Sequence, residues 1–571
     1  MMKKRWCIKE PDEKTQRLLS RELNISHITS QVLINRGIKD LEGARRFLST
    51  GLSHLHSPLM MKDMEKASER IISAVSRNEK ITVYGDYDVD GVTALAILFN
   101  FLREINADVS YYVPHRLAEG YGLNFDALKR IQDAGTRLLI TVDCGISDFD
   151  EVTSAQRNGL DVIITDHHEV PDVLPPAHAI LNPKQKGCGF PFKSLAGVGI
   201  AFNLIIALRT RLRDAGFWTQ ERIPNLREYL DLVALGTIAD IVPLSDENRI
   251  FVKFGLQQLT NSSRPGIVAL KEVSGLKDTI ITPGMVGFRL APRINAAGRL
   301  GRAYDSVELL TSKDLRDAEQ IARILDSENR ERQEIEDRIV REAKEIVENS
   351  ERLLRGKAII LASPNWHPGV MGIVASRLVE EYYKPTVMVS LDGGIGKGSA
   401  RSIEAFHLYE GLKGCAHLLK GFGGHQYAAG LTIDERDIPE FQNIFEEIVN
   451  EKVAEEDFIP TIHIDGEITL KELTERFLEE LELLAPFGPS NPEPIFCSSI
   501  LPVSNANVVG NGHLKLKVKE EGVLYDAIGF NMADYVLSPD QFIRAAFVPQ
   551  VNEWQGMRTV QLRLKDVKVV G

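Results

Sequence analysis

From Lys80 onward the chain alternates short β-branched runs with longer amphipathic ones, and the short runs close on carboxylates or imidazoles. Ile81-Thr82-Val83-Tyr84, Val109-Ser110-Tyr111-Tyr112-Val113, Leu138-Leu139-Ile140-Thr141-Val142 and Asp161-Val162-Ile163-Ile164-Thr165 read as strands. Ala94 to Glu104 and Phe125 to Ala134 read as helices between them. Short apolar strands separated by helices predict βαβ units and a parallel sheet covered on both faces. Ligands of such sheets sit beyond the carboxyl ends of the strands. Asp86, His115, Asp143 and His167 all follow strand ends.

The remaining sequence divides by rhythm. Residues 1–60 read as a helical segment without a chemical motif, and residues 61–312 hold the α/β pattern. Residues 313–350 are polar and periodic with no Pro or Gly, which predicts one long connecting helix. A second, smaller α/β unit follows over 351–455, with Ala358-Ile359-Ile360-Leu361 and Thr386-Val387-Met388-Val389 as strands. Residues 456–571 turn to short alternating runs such as Leu514-Lys515-Leu516-Lys517-Val518, which predict a small β-barrel of the OB type. OB-folds often bind single strands.

Four runs carry the chemistry: Tyr84-Gly85-Asp86-Tyr87-Asp88-Val89-Asp90-Gly91, Thr141-Val142-Asp143, Thr165-Asp166-His167-His168 and Gly236-Thr237-Ile238-Ala239-Asp240. The first resembles a calcium EF-hand loop, but its twelfth position is Ile97 where a bidentate Glu is required, and a strand precedes it. Rossmann and Walker A glycine patterns are absent. The run reads instead as a strand-end turn that aims carboxylates at one point, with Gly85 and Gly91 allowing the bend. Asp143 has a second reading as a helix N-cap, since Gly145 and Ser147 follow. Asp231 and Asp240 compete for the last ligand position; Asp240 is preferred because small residues precede it. Two imidazoles after an Asp point in different directions, so one of His167 and His168 can hold a metal while its neighbour faces a phosphate or orients a ligand. Mixed Asp/His donors suit Mn²⁺ or Mg²⁺. Two such ions a few ångströms apart imply a phosphoester hydrolase, with a bridging carboxylate from Asp88, Asp90 or Asp143.

Composition limits the alternatives. A net charge of −12 weighs against a nucleic-acid partner, but acidic residues concentrate in helical segments, and metal ions return positive charge locally. Arg289, Arg293, Arg299 and Arg302 form a stretch without acids. The five cysteines are scattered with no C-x-x-C pair, which fits a reducing cytoplasm better than a disulfide framework or a zinc site. No apolar run reaches the ~20 residues of a membrane span, and the basic start lacks the apolar stretch of a signal peptide.

Together with Tyr112-Val113-Pro114-His115-Arg116, Gly120-Tyr121-Gly122-Leu123, Pro292-Arg293-Ile294-Asn295-Ala296-Ala297-Gly298-Arg299, His367-Pro368-Gly369 and Gly423-Gly424-His425, these runs resemble the DHH phosphoesterase superfamily. The likeness extends over nearly the whole chain and is closest to its single-strand-specific DNA exonucleases. It implies a parallel-sheet DHH catalytic domain, a long connecting helix, a smaller α/β DHH-associated domain and a C-terminal OB-fold. It implies that Asp86, Asp88, Asp90, Asp143, His167 and Asp240 hold two Mn²⁺ or Mg²⁺ ions, and that His168 contacts the scissile phosphate. Arg401 and His425, with Gly424 in the motif, would grip DNA phosphates; Arg289, Arg293 and Arg299 would line the strand's route. Each of these arginines has a second reading as an ion pair within the fold. The resemblance further implies 5′→3′ release of 5′-mononucleotides in recombination and repair, alongside a single-strand-binding protein and a RecQ-type helicase. A different DHH chemistry needs only the first two domains, and a silent DNA-binding scaffold would not need an intact ligand set.

Overall fold

Five strands, Val109–Tyr112, Ile81–Gly85, Leu138–Val142, Asp161–Thr165 and Ala179–Leu181, lie side by side in that order and all run parallel. Ile81–Gly85 and Leu138–Val142 are buried at every position, as continuous apolar strands between two helical layers must be. Helix Val89–Glu104 leaves the end of Ile81–Gly85 and is buried over almost all of its length. It packs with helices Gly197–Asp214 and Leu230–Ala239, both also apolar nearly all round. A computed structural model provides these coordinates and describes residues 3–115, 119–300, 302–535, 537–554 and 557–570.

The chain forms two units. One comprises Asp12–Asn329 together with Glu475–Glu493; the other comprises Met1–Pro11, Arg330–Thr474 and Pro494–Gly571. The parallel sheet belongs to the first. So does the helix Glu475–Leu484, although it lies far along the sequence. Its Glu480 accepts hydrogen bonds from Ser26 N at 2.8 Å and Thr29 Oγ1 at 2.7 Å. The buried Arg249 donates to the carbonyls of Leu483, Leu484 and Pro486, at the negative end of that helix.

In the second unit, strands Leu419–Gly424, Ala428–Asp434, Ile395–Arg401, Thr386–Asp392 and Ile359–Ser363 form one sheet in that order; only the last pair is parallel. Strands Phe542–Trp554, Leu501–Val509, His513–Glu520, Val523–Gly529 and Met557–Val570 pair successively, and the last pairs back on the first. This closed five-strand ring is the expected barrel. Its strand His513–Glu520 alternates strictly, with Leu514, Leu516 and Val518 inside and Lys515, Lys517 and Lys519 outside.

The first 60 residues depart from an all-helical segment. Helices Glu13–Leu23, His27–Asn35 and Leu41–Leu48 are present, but Arg5–Ile8 is a strand paired in parallel with Thr461–Ile464. Four residues are too few to show a period, and their partner lies some 450 positions away. The long helix runs over Leu315–Glu348, and the boundary between units falls inside it. No helix among the described residues is long and apolar enough to cross a membrane.

Candidate metal centre

The sheet register sets the site. Gly85 pairs with Val142, Val142 with Thr165, and Thr165 with Leu181. The next residues, Asp86, Asp143, Asp166 and Asn182, therefore stand in a row along the carboxyl edge. Backbone bonds continue the row: Asp143 N donates to Thr165 O at 2.9 Å and Asp166 N to Leu181 O at 3.0 Å. Asp143 then turns left-handed, with φ of 62°, a region where Asp and Asn are enriched among non-glycine residues. Helix Phe149–Arg157 begins later, so Asp143 caps no helix.

Asp88 caps helix Val89–Glu104, accepting the N–H groups of Asp90 at 2.9 Å and Gly91 at 3.1 Å. Asp90, one position into that helix, is fully buried. Its two oxygens accept the N–H groups of Gly197 (2.6 Å) and Val198 (2.8 Å) at the start of helix Gly197–Asp214. A helix N-terminus is a natural seat for a carboxylate. Asp240 comes from a helix end, not a strand: it is the C-cap of Leu230–Ala239.

These side chains converge. His167 Nε2 lies 3.2 Å from Asp143 Oδ1, 3.6 Å from Asp240 Oδ2 and 4.0 Å from Asp90 Oδ2. Three sets of donor atoms cluster within 4.8 Å: Asp86, Asp88 and Asp143; Asp90, His167 and Asp240; and Asp143, His167 and His168. Asp143 and His167 each belong to two sets. Burial and neighbouring carboxylates push Asp143 well above the usual carboxylate range. The same causes raise Asp240 to about 9 and Asp90 to about 7. Burial, with the charge of His168, lowers His167 to about 4, so it is neutral and keeps a lone pair for a metal. Asp143 Oδ1 and Asp240 Oδ2 are buried oxygens with no hydrogen bond. Crowded carboxylates, orphaned oxygens and a neutral imidazole are the donor set that Mn²⁺ or Mg²⁺ satisfies.

A supporting layer was not legible as such in the sequence. Asp166 is fully buried and accepts from Ile146 N at 2.9 Å and His168 N at 3.1 Å, with His168 Nδ1 at 2.7 Å. Burial opposes charge on His168, but the bond to Asp166 and its charge outweigh it and raise the imidazole's pKa. Asn182 Nδ2 donates to His168 O at 2.9 Å. Tyr121 OH lies 3.2 Å from Asp143 O and 3.1 Å from His168 Nδ1. The DHH triplet and the Gly-Tyr-Gly run were the signals for Asp166 and Tyr121; nothing pointed to Asn182.

Other candidate residues lie elsewhere. Asp231 is buried against Arg264 Nε (3.0 Å) and Ser262 Oγ (2.9 Å), and belongs to none of the donor sets. Arg289 donates to Ser274 O, and Arg293 pairs with Asp326 at 2.9 Å. Arg299 lies in helix Ala291–Leu300, whose Asn295 Oδ1 accepts Val89 N at 3.2 Å. In the second unit, Arg401 pairs in register with Ala428, whose carbonyl accepts His425 N at 2.8 Å, so Arg401, Gly424 and His425 share one end of that sheet. Gly424 has φ of 145°, and a Cβ there would lie 2.4 Å from Ala428 O. Arg116 lies outside the described residues.

Comparison with known proteins agrees with this architecture. The DHH family N-terminal domain matches residues 80–237, the DHHA1 domain residues 355–451 and the RecJ OB domain residues 464–566. The chain is 40% identical to the single-stranded-DNA-specific exonuclease RecJ of Bacillus subtilis over 99% of its own length and 71% of the relative's. It is 40% identical to that of Haemophilus influenzae over 92% and 93%. The crystal structure of Thermus thermophilus RecJ in complex with Mn²⁺ superposes with a TM-score of 0.84 at 30% identity, covering 99% of this chain and 79% of that one. A Mg²⁺ complex of the same protein superposes with a TM-score of 0.79. With this site on this fold, and identity at that level along nearly its whole length, the chain belongs to the RecJ family of the DHH phosphoesterases.

Proposed function

We propose that this chain is a metal-dependent exonuclease that hydrolyses single-stranded DNA from its 5′ end and releases 5′-mononucleotides, in DNA recombination and repair. The observation that carries the reading is the convergence of five carboxylates and a neutral imidazole beyond the sheet edge, with Asp143 shared between two donor sets. Asp86, Asp88, Asp90, Asp143, His167 and Asp240 would hold two Mn²⁺ or Mg²⁺ ions, with Asp143, which belongs to two donor sets, available to both. Bound there, such ions would supply activation of water and neutralisation of charge on the scissile phosphate.

The chain's own residues do the rest. Asp90 is held in place by the N–H groups of Gly197 and Val198. His167 stays neutral. His168 has Nδ1 committed to Asp166, which leaves Nε2 as the nitrogen that donates to a phosphate oxygen. Arg401 and His425, which share one end of their sheet, take backbone phosphates of the strand, and the barrel's outward lysines add contacts to single-stranded DNA. A single-strand-binding protein and a RecQ-type helicase are the partners we assign, in the cytoplasm.

Oligonucleotides labelled at either end, single- or double-stranded, with Mn²⁺ or EDTA, test the assignment. Mononucleotides released first from 5′-labelled single strands, only with metal, are expected. Release from the 3′ end, or equal attack on duplex, would overturn the polarity or the strand preference.

A further inference from the structure

Asp148 stands where a helix N-cap belongs, one residue before helix Phe149–Arg157, yet its side chain caps nothing in that helix. An aspartate here normally accepts the first-turn N–H groups. Instead, Asp148 Oδ2 accepts the backbone N–H of Leu123 at 2.7 Å. The same carboxylate occupies the space a side chain at position 122 would need: a Cβ on Gly122 would lie 2.8 Å from Asp148 Oδ2. Gly120 and Gly122 have φ of 84° and 82°, so the turn bends left-handed on both sides of Tyr121.

Tyr121 is the output of that turn. Its hydroxyl donates to Asp143 O at 3.2 Å and stands 3.1 Å from His168 Nδ1. Since Nδ1–H is directed at Asp166, the Tyr121 oxygen is a second acceptor for that proton and not a donor to it. Two acceptors thereby hold the imidazole at Nδ1. A continuous path of hydrogen bonds and backbone runs from Asp148 through Leu123 N and the Gly-Tyr-Gly turn to His168 and the backbone of Asp143.

We propose that Asp148 is a positioning residue for the exonuclease reaction: its carboxylate fastens the 120–122 turn so that Tyr121 holds the His168 ring and the Asp143 backbone. Asp148 gives up capping its own helix for this bond. The inference rests on the proposed contact between His168 and the scissile phosphate.

Steady-state hydrolysis of a single-stranded oligonucleotide by the Mn²⁺-loaded enzyme tests it. Asp148→Ala should lower kcat by about tenfold, the low end of what losing an outer partner of a metal site costs, with KM changed less than about twofold, since the loss falls on the transition state. Asp148→Asn keeps an acceptor for Leu123 N–H and should recover most of kcat. Asp148→Ser, too short to reach Leu123 but able to cap its own helix, should be as slow as Asp148→Ala, and serves where the alanine variant folds poorly. In a Tyr121→Phe background, Asp148→Ala or Asp148→Ser should cost almost nothing further. Multiplication of the two losses, or an Asn variant as slow as Ala, would show a general structural role and overturn the proposal, as would unchanged kcat in both the Ala and Ser variants. His168→Ala separates the premises: if it retains full kcat, the reading of His168 fails and this inference with it. If it is slow while the Asp148 variants are not, only this inference fails.

Discussion

Asp143 concentrates the charge conflict of the site. It is 2% exposed, held left-handed at a strand end, and faces Asp86, Asp88, Asp90 and Asp240. In the metal-free protein its folded pKa lies well above the unfolded value, so ionising it costs stability. That contribution is intact at pH below the unfolded value of 3.8 and is lost as pH rises through the folded pKa. Metal-free Asp143→Asn should therefore melt higher than wild type at pH 8, with the gap shrinking towards pH 5. Added Mg²⁺ should raise the wild-type Tm at pH 8 and leave the variant's nearly unmoved. Differential scanning fluorimetry reads both; a variant that melts lower than wild type at pH 8 without metal would contradict the crowding argument. Turnover in Asp143→Asn should fall by more than the ~100-fold lost when a residue that only hydrogen-bonds to a metal ligand is removed. Retained hydrolysis would remove Asp143 from the centre. At this scale the carboxylates and imidazoles were legible because their types and strand-end positions announce them. Arg289 and Arg293 were not: Asp326, which takes Arg293, is 33 residues away, and residue type alone cannot say whether a guanidinium faces substrate or its own fold.

Among the elements, the helix Leu230–Ala239 shows how close packing serves the centre. Gly236 lies against helix Val89–Glu104, where a Cβ would meet Thr93 Oγ1 at 2.2 Å and Asp90 Oδ1 at 3.1 Å. Gly236→Ala should therefore destabilise the first unit by roughly 1–3 kcal/mol, the usual range for overpacking. It should also weaken metal binding, because the displaced atoms include Asp90. Chemical denaturation and Mn²⁺ titration followed by EPR check the two effects; normal affinity with lowered stability would mean the helices part without disturbing the carboxylate. The strands of the parallel sheet were readable from their short β-branched runs. The apolar run before Asp240 was ambiguous, because a fully buried helix and a fully buried strand both appear as unbroken hydrophobic text.

Across the whole molecule, the chain order and the packing order differ. Residues 475–493 interrupt the barrel sequence and pack within the first unit through Glu480 and Arg249. Arg249 is buried with three carbonyls and stacks 3.9 Å over the Phe47 ring; burial lowers its pKa to about 10, so it stays charged at neutral pH. Arg249→Ala strands those carbonyls and should cost roughly 3 kcal/mol, with early proteolysis in 475–493; cleavage elsewhere first would refute the anchor. Truncation at 456 would also remove this segment, so the barrel is better probed from its surface. Reversing Lys515, Lys517 and Lys519 to Glu should weaken single-strand binding at low salt. It should also flatten the salt dependence by about 0.7 for each DNA phosphate that a lysine no longer neutralises, leaving kcat at saturating DNA largely unchanged. Unaltered affinity in fluorescence anisotropy would remove that face from the binding surface.

Which chemistry was possible was already written in the order of the residues. Strand periodicity fixed a parallel sheet, and the residues just past each strand end supplied hard donors for a divalent metal. Alternation after residue 456 fixed a barrel. These are local properties, written in neighbours two to four positions apart. Which atoms meet was settled by long-range packing. The in-register pairing of Gly85, Val142 and Thr165 aligned the carboxylates, a helix N-terminus over a hundred residues away took Asp90, and a helix end delivered Asp240. Asp231 went to Arg264 and Asp148 left its own helix for a distant turn. Hydrogen-bond and ion-pair partners are chosen by through-space distances of about 3 Å, and no spacing along the chain encodes those.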